Sequence, residues 1–147
     1  MVKIDKILFP MDLTEDSLKV LPYVLSVSEK YASSIYLLHV IENTHTWGPS
    51  EVAAVYDEKE ALEEAETQID NVYEEQLESR PNFQKKVVLG NPAMEILKAI
   101  KTEGIDLVVM GTHGRKGTSH IFFGSVAESV MKSSPVPVLV VNSRTVK

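Results

Sequence analysis

The groups best placed for chemistry are an acid and two glycine clusters. Asp12 closes the segment Lys6-Ile7-Leu8-Phe9-Pro10-Met11-Asp12. Gly111 and Gly114 follow the apolar run Ile105–Met110, and Gly124-Ser125 comes after a further nine residues that include Arg115 and Lys116. Glycines let a backbone come close to a phosphate chain and aim its N–H groups at the oxygens. A helix opening at Gly124-Ser125 would add its first N–H groups and its positive dipole end to the same anion site. Two plainer readings stand beside this one: the glycines only make turns, and Asp12 only caps the turn into the following helix. Residue type and spacing alone leave both open.

Other chemistry finds less support. There are no cysteines, so thiolate metal sites, disulfide frameworks and cysteine nucleophiles are excluded and a reducing compartment is expected. His113 and His120 lie seven residues apart with no carboxylate at metal-ligand spacing, so a metal site made of protein ligands alone is not expected. A magnesium or manganese ion held mainly by phosphates needs few protein ligands and fits better. His39 at a strand end reads as a packed histidine, His45 and Trp47 as loop surface, and Phe122-Phe123 as core contacts anchoring the glycine-flanked excursion.

These residues must be positioned by an alternating α/β pattern. Five apolar runs rich in β-branched residues read as strands: Lys6–Phe9, Ile35–Ile41, Lys85–Leu89, Ile105–Met110 and Val136–Val141. Helical periods lie between them, which predicts an open five-stranded parallel sheet with helices on both faces. Thr14 is the expected N-cap of the first helix, with Glu15 and Asp16 in its first turn. Pro22 falls inside that helix and predicts a bend. Asn91-Pro92 starts a helix that Gly104 ends, and the last helix, Val126–Lys132, stops before Pro135. The longest helical pattern, 57–79, would bury Leu62, Ala65, Ile69, Val72 or Tyr73, and Leu77. The segment before it, Asn43–Tyr56, is long for a connection, and such loops are often lids or binding loops. In an open parallel sheet, ligands bind beyond the carboxyl ends of the strands where strand order reverses. With the order 3-2-1-4-5 that crevice lies between strands 1 and 4, where Asp12 and the Gly111 turn face each other.

The 147 residues are one domain's worth of chain, spanning 1–147. The formal charge of −6 is unevenly spread. Residues 57–78 hold ten acids and one base, leaving fourteen bases against eleven acids elsewhere. That acidic run reads as the solvated face of a helix, with an acidic docking surface as the alternative. No Lys/Arg cluster exceeds a pair, so no nucleic-acid partner is expected. No run approaches a membrane span, so no membrane partner is expected and the reading is cytoplasmic.

The spacing Gly111-x-x-Gly114, nine residues, Gly124-Ser125 directly follows Leu107-Val108-Val109-Met110 and precedes Val126 and Pro137-Val138-Leu139-Val140-Val141. It resembles the ATP-binding branch of the universal stress protein family. The similarity covers the whole chain, with Lys6-Ile7-Leu8-Phe9-Pro10-x-Asp12 matching the family's first strand and Leu37-Leu38-His39-Val40 its second. The resemblance implies a Rossmann-like domain of the adenine nucleotide alpha-hydrolase type with strand order 3-2-1-4-5. It also implies ATP as ligand, a role in stress response, and usually a homodimer.

Carried over by position, the resemblance places Pro10 in the binding set. It puts Asp12 on the ribose or adenine side, the Val40 backbone at the adenine edge and Met110 along base and sugar. Gly111, Gly114, Gly124 and Ser125 would cradle the phosphates with the Val126 N–H, and His113 and Arg115 could reach phosphate oxygens. A protein partner is implied but not identified. The chain has no Gly-x-x-x-x-Gly-Lys-Ser/Thr loop and no kinase-type catalytic motif. Binding without fast turnover is therefore expected, with a slow ATPase or phosphotransferase as the alternative. The glycine spacing argues against a flavin carrier on a similar sheet. The last strand, a sheet edge in this order, is apolar and is the expected dimer contact.

Overall fold

The computed structural model describes residues 1–42, 58–77, 80, 82–112 and 124–146. Strand and helix alternate as β1 (Lys6–Met11), α1 (Glu15–Tyr31), β2 (Ser34–Glu42), α2 (Glu58–Leu77), β3 (Phe83–Gly90), α3 (Pro92–Thr102), β4 (Leu107–Gly111), α4 (Ser125–Ser133) and β5 (Val138–Val141). The sheet has the order β3-β2-β1-β4-β5 with every neighbouring pair parallel, as the alternating pattern and family resemblance imply.

Period-two alternation divides the strand side chains between two cores. Ile7, Phe9 and Met11 join Ile35, Leu37, Leu107 and Val109 under α1 and α2, which contribute Val20, Leu21, Val24, Ile69, Tyr73 and Leu77. Leu8, Tyr36, Leu38, Val108 and Met110 face the other way, onto Ile96, Ala99 and Ile100 of α3 and Ala127 and Val130 of α4. Helices on both faces explain why the central strands read as continuous apolar runs.

Local chemistry sets the helix ends. Thr14 has extended backbone and its side chain accepts from the Ser17 N–H, the N-cap arrangement expected of it. Asn91 caps α3 in the same way through Met94, with Pro92 in the first turn. Gly104, at φ +64°, ends the segment in a left-handed conformation that glycine adopts without steric cost. Pro22 does not interrupt α1, which is helical from Glu15 to Tyr31. In α2 the buried residues are Ala65, Ile69, Tyr73 and Leu77. Tyr73 takes the place that either it or Val72 could have filled, and Val72 is exposed.

Two strand boundaries move for identifiable reasons. β4 begins at Leu107, because the Ile105 N–H still closes the end of α3 on the Ile100 carbonyl and the Asp106 carboxylate accepts the N–H groups of Asp5 and Lys6. β5 begins at Val138, because Pro137 has a carbonyl for the Val108 N–H but no donor of its own. Among the described residues no helix is long and apolar enough to cross a membrane.

The phenols of Tyr36 and Tyr73 are buried one on each face of the sheet. Burial raises the pKa of both above the ordinary 10.0, helped by the charge of Glu103 at Tyr36 and of Asp12 at Tyr73. The unfolded chain therefore ionises first on raising the pH, so it binds fewer protons than the native state and stability falls. Urea midpoints should be flat from about pH 7 to 9 and decline above about pH 10. A midpoint that rises across that range would contradict the assignment.

Candidate functional site

β1 and β4 pair only near their starts. Their register runs Ile7↔Leu107 and Leu8↔Val108. By contrast β1 stays with β2 as far as Met11↔His39, and β4 stays with β5 as far as Gly111↔Val141. Regular backbone pairing between the two central strands runs no further than Leu8 and Val108, at the place where strand order reverses and an open parallel sheet offers a ligand crevice. Pro10 supplies a local cause. The Lys6 carbonyl accepts from the Asp106 N–H, so the backbone groups of Lys6 and, by alternation, Leu8 and Pro10 face β4. Pro10 has no N–H to offer, and the ladder loses a donor just where pairing ends.

The β4 side of the crevice is tied down twice. The Thr112 N–H bonds the Val141 carbonyl at 3.0 Å, and the Thr112 carbonyl accepts the Gly124 N–H at 2.5 Å. The two ends of the glycine-flanked excursion are thus held together, with Gly111 on one side and the start of α4 on the other. Gly124 is the N-cap of α4 and, among the described residues, no side chain caps that helix start. Among the described residues, no side chain takes the first-turn N–H groups that helices leave without intrahelical partners. Ser125 is exposed, while Gly124 and Val126 are half-buried.

On the β1 side, Asp12 sits inside a small polar network. Its Oδ1 accepts the Thr14 N–H at 3.1 Å, the Thr14 hydroxyl at 2.5 Å and the Ser17 hydroxyl at 2.6 Å. The Asp12 N–H in turn donates to Ser17 Oγ at 3.2 Å. Between them Leu13 holds φ at +65°, a left-handed conformation that costs a non-glycine residue roughly 1–2 kcal/mol. Asp12 does cap the turn into α1, but with one oxygen only. Its Oδ2 is shielded from solvent and has no hydrogen-bond partner among the described residues.

The remaining sequence-predicted residues fall into clear places. Val40 and Val126 pack against the α3–α4 core that contains Met110, and alternation along β1 turns Pro10 to the same face. The Met110 side chain is itself core, 4% exposed. Asp12 lies apart from this group, at the start of α1. His39 is buried, with Nδ1 2.9 Å from the Met11 carbonyl, the packed histidine that its place in the strand implies. His113, Gly114 and Arg115 lie outside the described residues, as do Lys116, His120, Phe122, Phe123, His45 and Trp47.

Ser17 is the site group that the sequence reading passed over. The spacing Asp12-x-Thr14-x-x-Ser17 carries a usable signal for Ser17, since the third helical residue commonly reaches back to the cap.

The sequence model described as the universal stress protein family matches residues 3–142. Universal stress protein MJ0577 of Methanocaldococcus jannaschii is 32% identical over 95% of this chain and 95% of its own length. The chain belongs to the universal stress protein family. The solved structure of MJ0577 superposes with a TM-score of 0.80 at 34% identity, covering 96% of this chain and 97% of that one. Universal stress protein UspA from Lactobacillus plantarum shares the fold at a TM-score of 0.80 and 19% identity, over 97% and 100% of the two chains. A universal stress protein from Archaeoglobus fulgidus, solved in complex with dAMP, shares it at 0.57 and 17%, over 95% and 98%.

In this universal stress protein the Asp12 turn depends on Ser17, which is 8% exposed and bonded to both the carboxylate and the N–H of Asp12. Ser17→Ala should lower stability by about 1.5–3 kcal/mol, the range for hydrogen bonds to a charged group. Denaturant unfolding checks this, and a loss below about 0.5 kcal/mol would mean the network is not holding the turn.

Proposed function

We propose that this universal stress protein binds an adenine nucleotide, ATP foremost, across the ends of β1 and β4, and serves as a nucleotide-dependent regulatory module of the stress response. The observation that carries the reading is the reversal of strand order at β1 and β4 beside an α4 N-terminus that no side chain of the described residues caps. The chemistry of the flanking groups suits the two ends of such a ligand. Asp12 Oδ2, an acceptor without a partner among the described residues, fits the hydroxyl or amino donors of ribose or adenine. The N–H groups of Ser125 and Val126, beside Gly124, fit phosphate oxygens. The dAMP complex of the Archaeoglobus relative supports an adenine ligand on this fold.

In this reading Pro10 leaves the strand ends one backbone bond short, Val40 offers its backbone to the adenine edge, and Met110 backs the floor. Gly111 and Gly114 allow close approach, while His113 and Arg115 neutralise phosphate charge. A magnesium or manganese ion would travel with the phosphates and supply further neutralisation there. Asp12 Oδ1 is already engaged by three donors, so it offers no general base at the terminal phosphate. Slow hydrolysis rather than rapid turnover follows. Absence of cysteine suits action in the reducing cytoplasm.

Calorimetric titration with ATP and GTP tests the site. ATP should bind in preference to GTP, and Gly124→Val should weaken ATP at least about tenfold by placing a branched side chain where phosphates approach, a loss of roughly 1.4 kcal/mol. Equal affinity in a well-folded variant would remove Gly124 from the site.

We also propose a homodimer through β5. This strand is a sheet edge, and Leu139 on it is 39% exposed. A two-fold partner would cover both the side chain and the unpaired backbone. Light scattering should give twice the 16.4 kDa of the chain, and Leu139→Lys should return a monomer. A wild-type monomer at high micromolar concentration would contradict the interface.

A further inference from the structure

Besides Asp12 Oδ2, the Tyr73 hydroxyl is a shielded polar atom without a hydrogen-bond partner among the described residues, on a residue 1% exposed. Tyr73 belongs to α2, an element otherwise remote in sequence from the β1–α1 turn. Its ring meets Phe9 edge-on, with centroids 6.1 Å apart and planes at 72°. Met11 belongs to the same core cluster and Leu13 packs against it, so the residues on either side of Asp12 are held in the packing that encloses Tyr73. The two orphaned atoms are chemically complementary. A phenol carries one proton to donate, and Oδ2 is an acceptor whose sister oxygen is saturated. The Asp12 charge is felt at the phenol, opposing its ionisation, although no direct hydrogen bond joins them.

We propose that Tyr73 Oη and Asp12 Oδ2 are joined through one buried water, which makes Tyr73 the positioning residue for the free oxygen of Asp12. Leaving both atoms dry would cost each its full desolvation penalty, whereas one water satisfies both and needs only a polar niche. The phenol then fixes where Oδ2 points from the far side of the α1–α2 core. It adds an acceptor-orienting link that the Thr14 and Ser17 bonds to Oδ1 do not provide. The consequence for a ligand rests on the adenine nucleotide reading above; the link itself does not.

The test is a double-mutant cycle of Tyr73→Phe and Asp12→Asn in the full chain, read in three ways. In free protein, Tyr73→Phe should lower the urea midpoint in the wild-type background and leave it nearly unchanged in the Asp12→Asn background. The side-chain carboxyl carbon-13 resonance of Asp12, assigned by its loss in Asp12→Asn, should move in Tyr73→Phe. With ATP as the probe, Tyr73→Phe should cost about three- to tenfold in affinity in the wild-type background and under about twofold in the Asp12→Asn background, the scale of one net hydrogen bond. An unchanged or raised midpoint together with an unmoved resonance would show a phenol that is simply unpaired and would overturn the link. Additive affinity losses would overturn the positioning role. A wild-type protein that binds no ATP but shows the coupled midpoints and the moved resonance would support the link while removing the nucleotide reading.

Discussion

Strand order reverses between β1 and β4, whose regular pairing runs to Leu8↔Val108, and the described parts of the candidate site lie at the carboxyl ends of these two strands. The constraint comes from both sides. β1 is kept in the sheet by β2 up to Met11, and β4 by β5 up to Gly111, so each strand is held to its outer neighbour past the end of the β1–β4 ladder. Pro10 leaves that ladder without its next donor, and the buried side chains Phe9 and Val109 on one face, with Leu8 and Val108 on the other, fix the two strands. The place of the expected crevice is therefore a property of the sheet's connectivity.

The two sides of the crevice are held by different physics. On the β4 side the hold is backbone to backbone, Thr112 to Val141 and Gly124 to Thr112, which leaves the surrounding N–H groups of α4 to other partners. On the β1 side it is a charged side chain. Placing a carboxylate against a packed core is costly unless its oxygens are hydrogen-bonded. Thr14 and Ser17 meet that requirement for Oδ1, and the left-handed Leu13 is the local strain that this tight turn tolerates. A partner for Oδ2 is the requirement that the described residues do not meet directly.

Much of the architecture was legible because it is written in local patterns. The five apolar runs became the five strands, Thr14 and Asn91 became N-caps, and Gly104 took the left-handed end of its helix. The glycine spacing and the acid after the first strand suggested a site between strands 1 and 4, and Gly111 and Asp12 lie at the ends of β4 and β1. What escaped depends on tertiary contact. Val72 and Tyr73 differ by one residue on a helical wheel, and only packing against Phe9 selects Tyr73. Met110, which the resemblance places along base and sugar, is buried in the cluster of Leu8 and Val130, as strand alternation relative to α4 dictates. The division of labour between the two Asp12 oxygens requires Ser17, whose hydroxyl matters only once the turn has formed. Pro22, which suggested a bend, sits within an unbroken α1.

We propose that the carboxyl ends of β1 and β4 form a site selective for adenine nucleotides. It is tested most directly by incubating the purified protein with an equimolar mixture of adenine, guanine, uracil and flavin nucleotides, removing free ligand by gel filtration, and weighing by mass spectrometry what denaturation releases. The account predicts adenine nucleotides at close to one per chain, and little else. Release of all the nucleotides alike, of a flavin, or of none would contradict it.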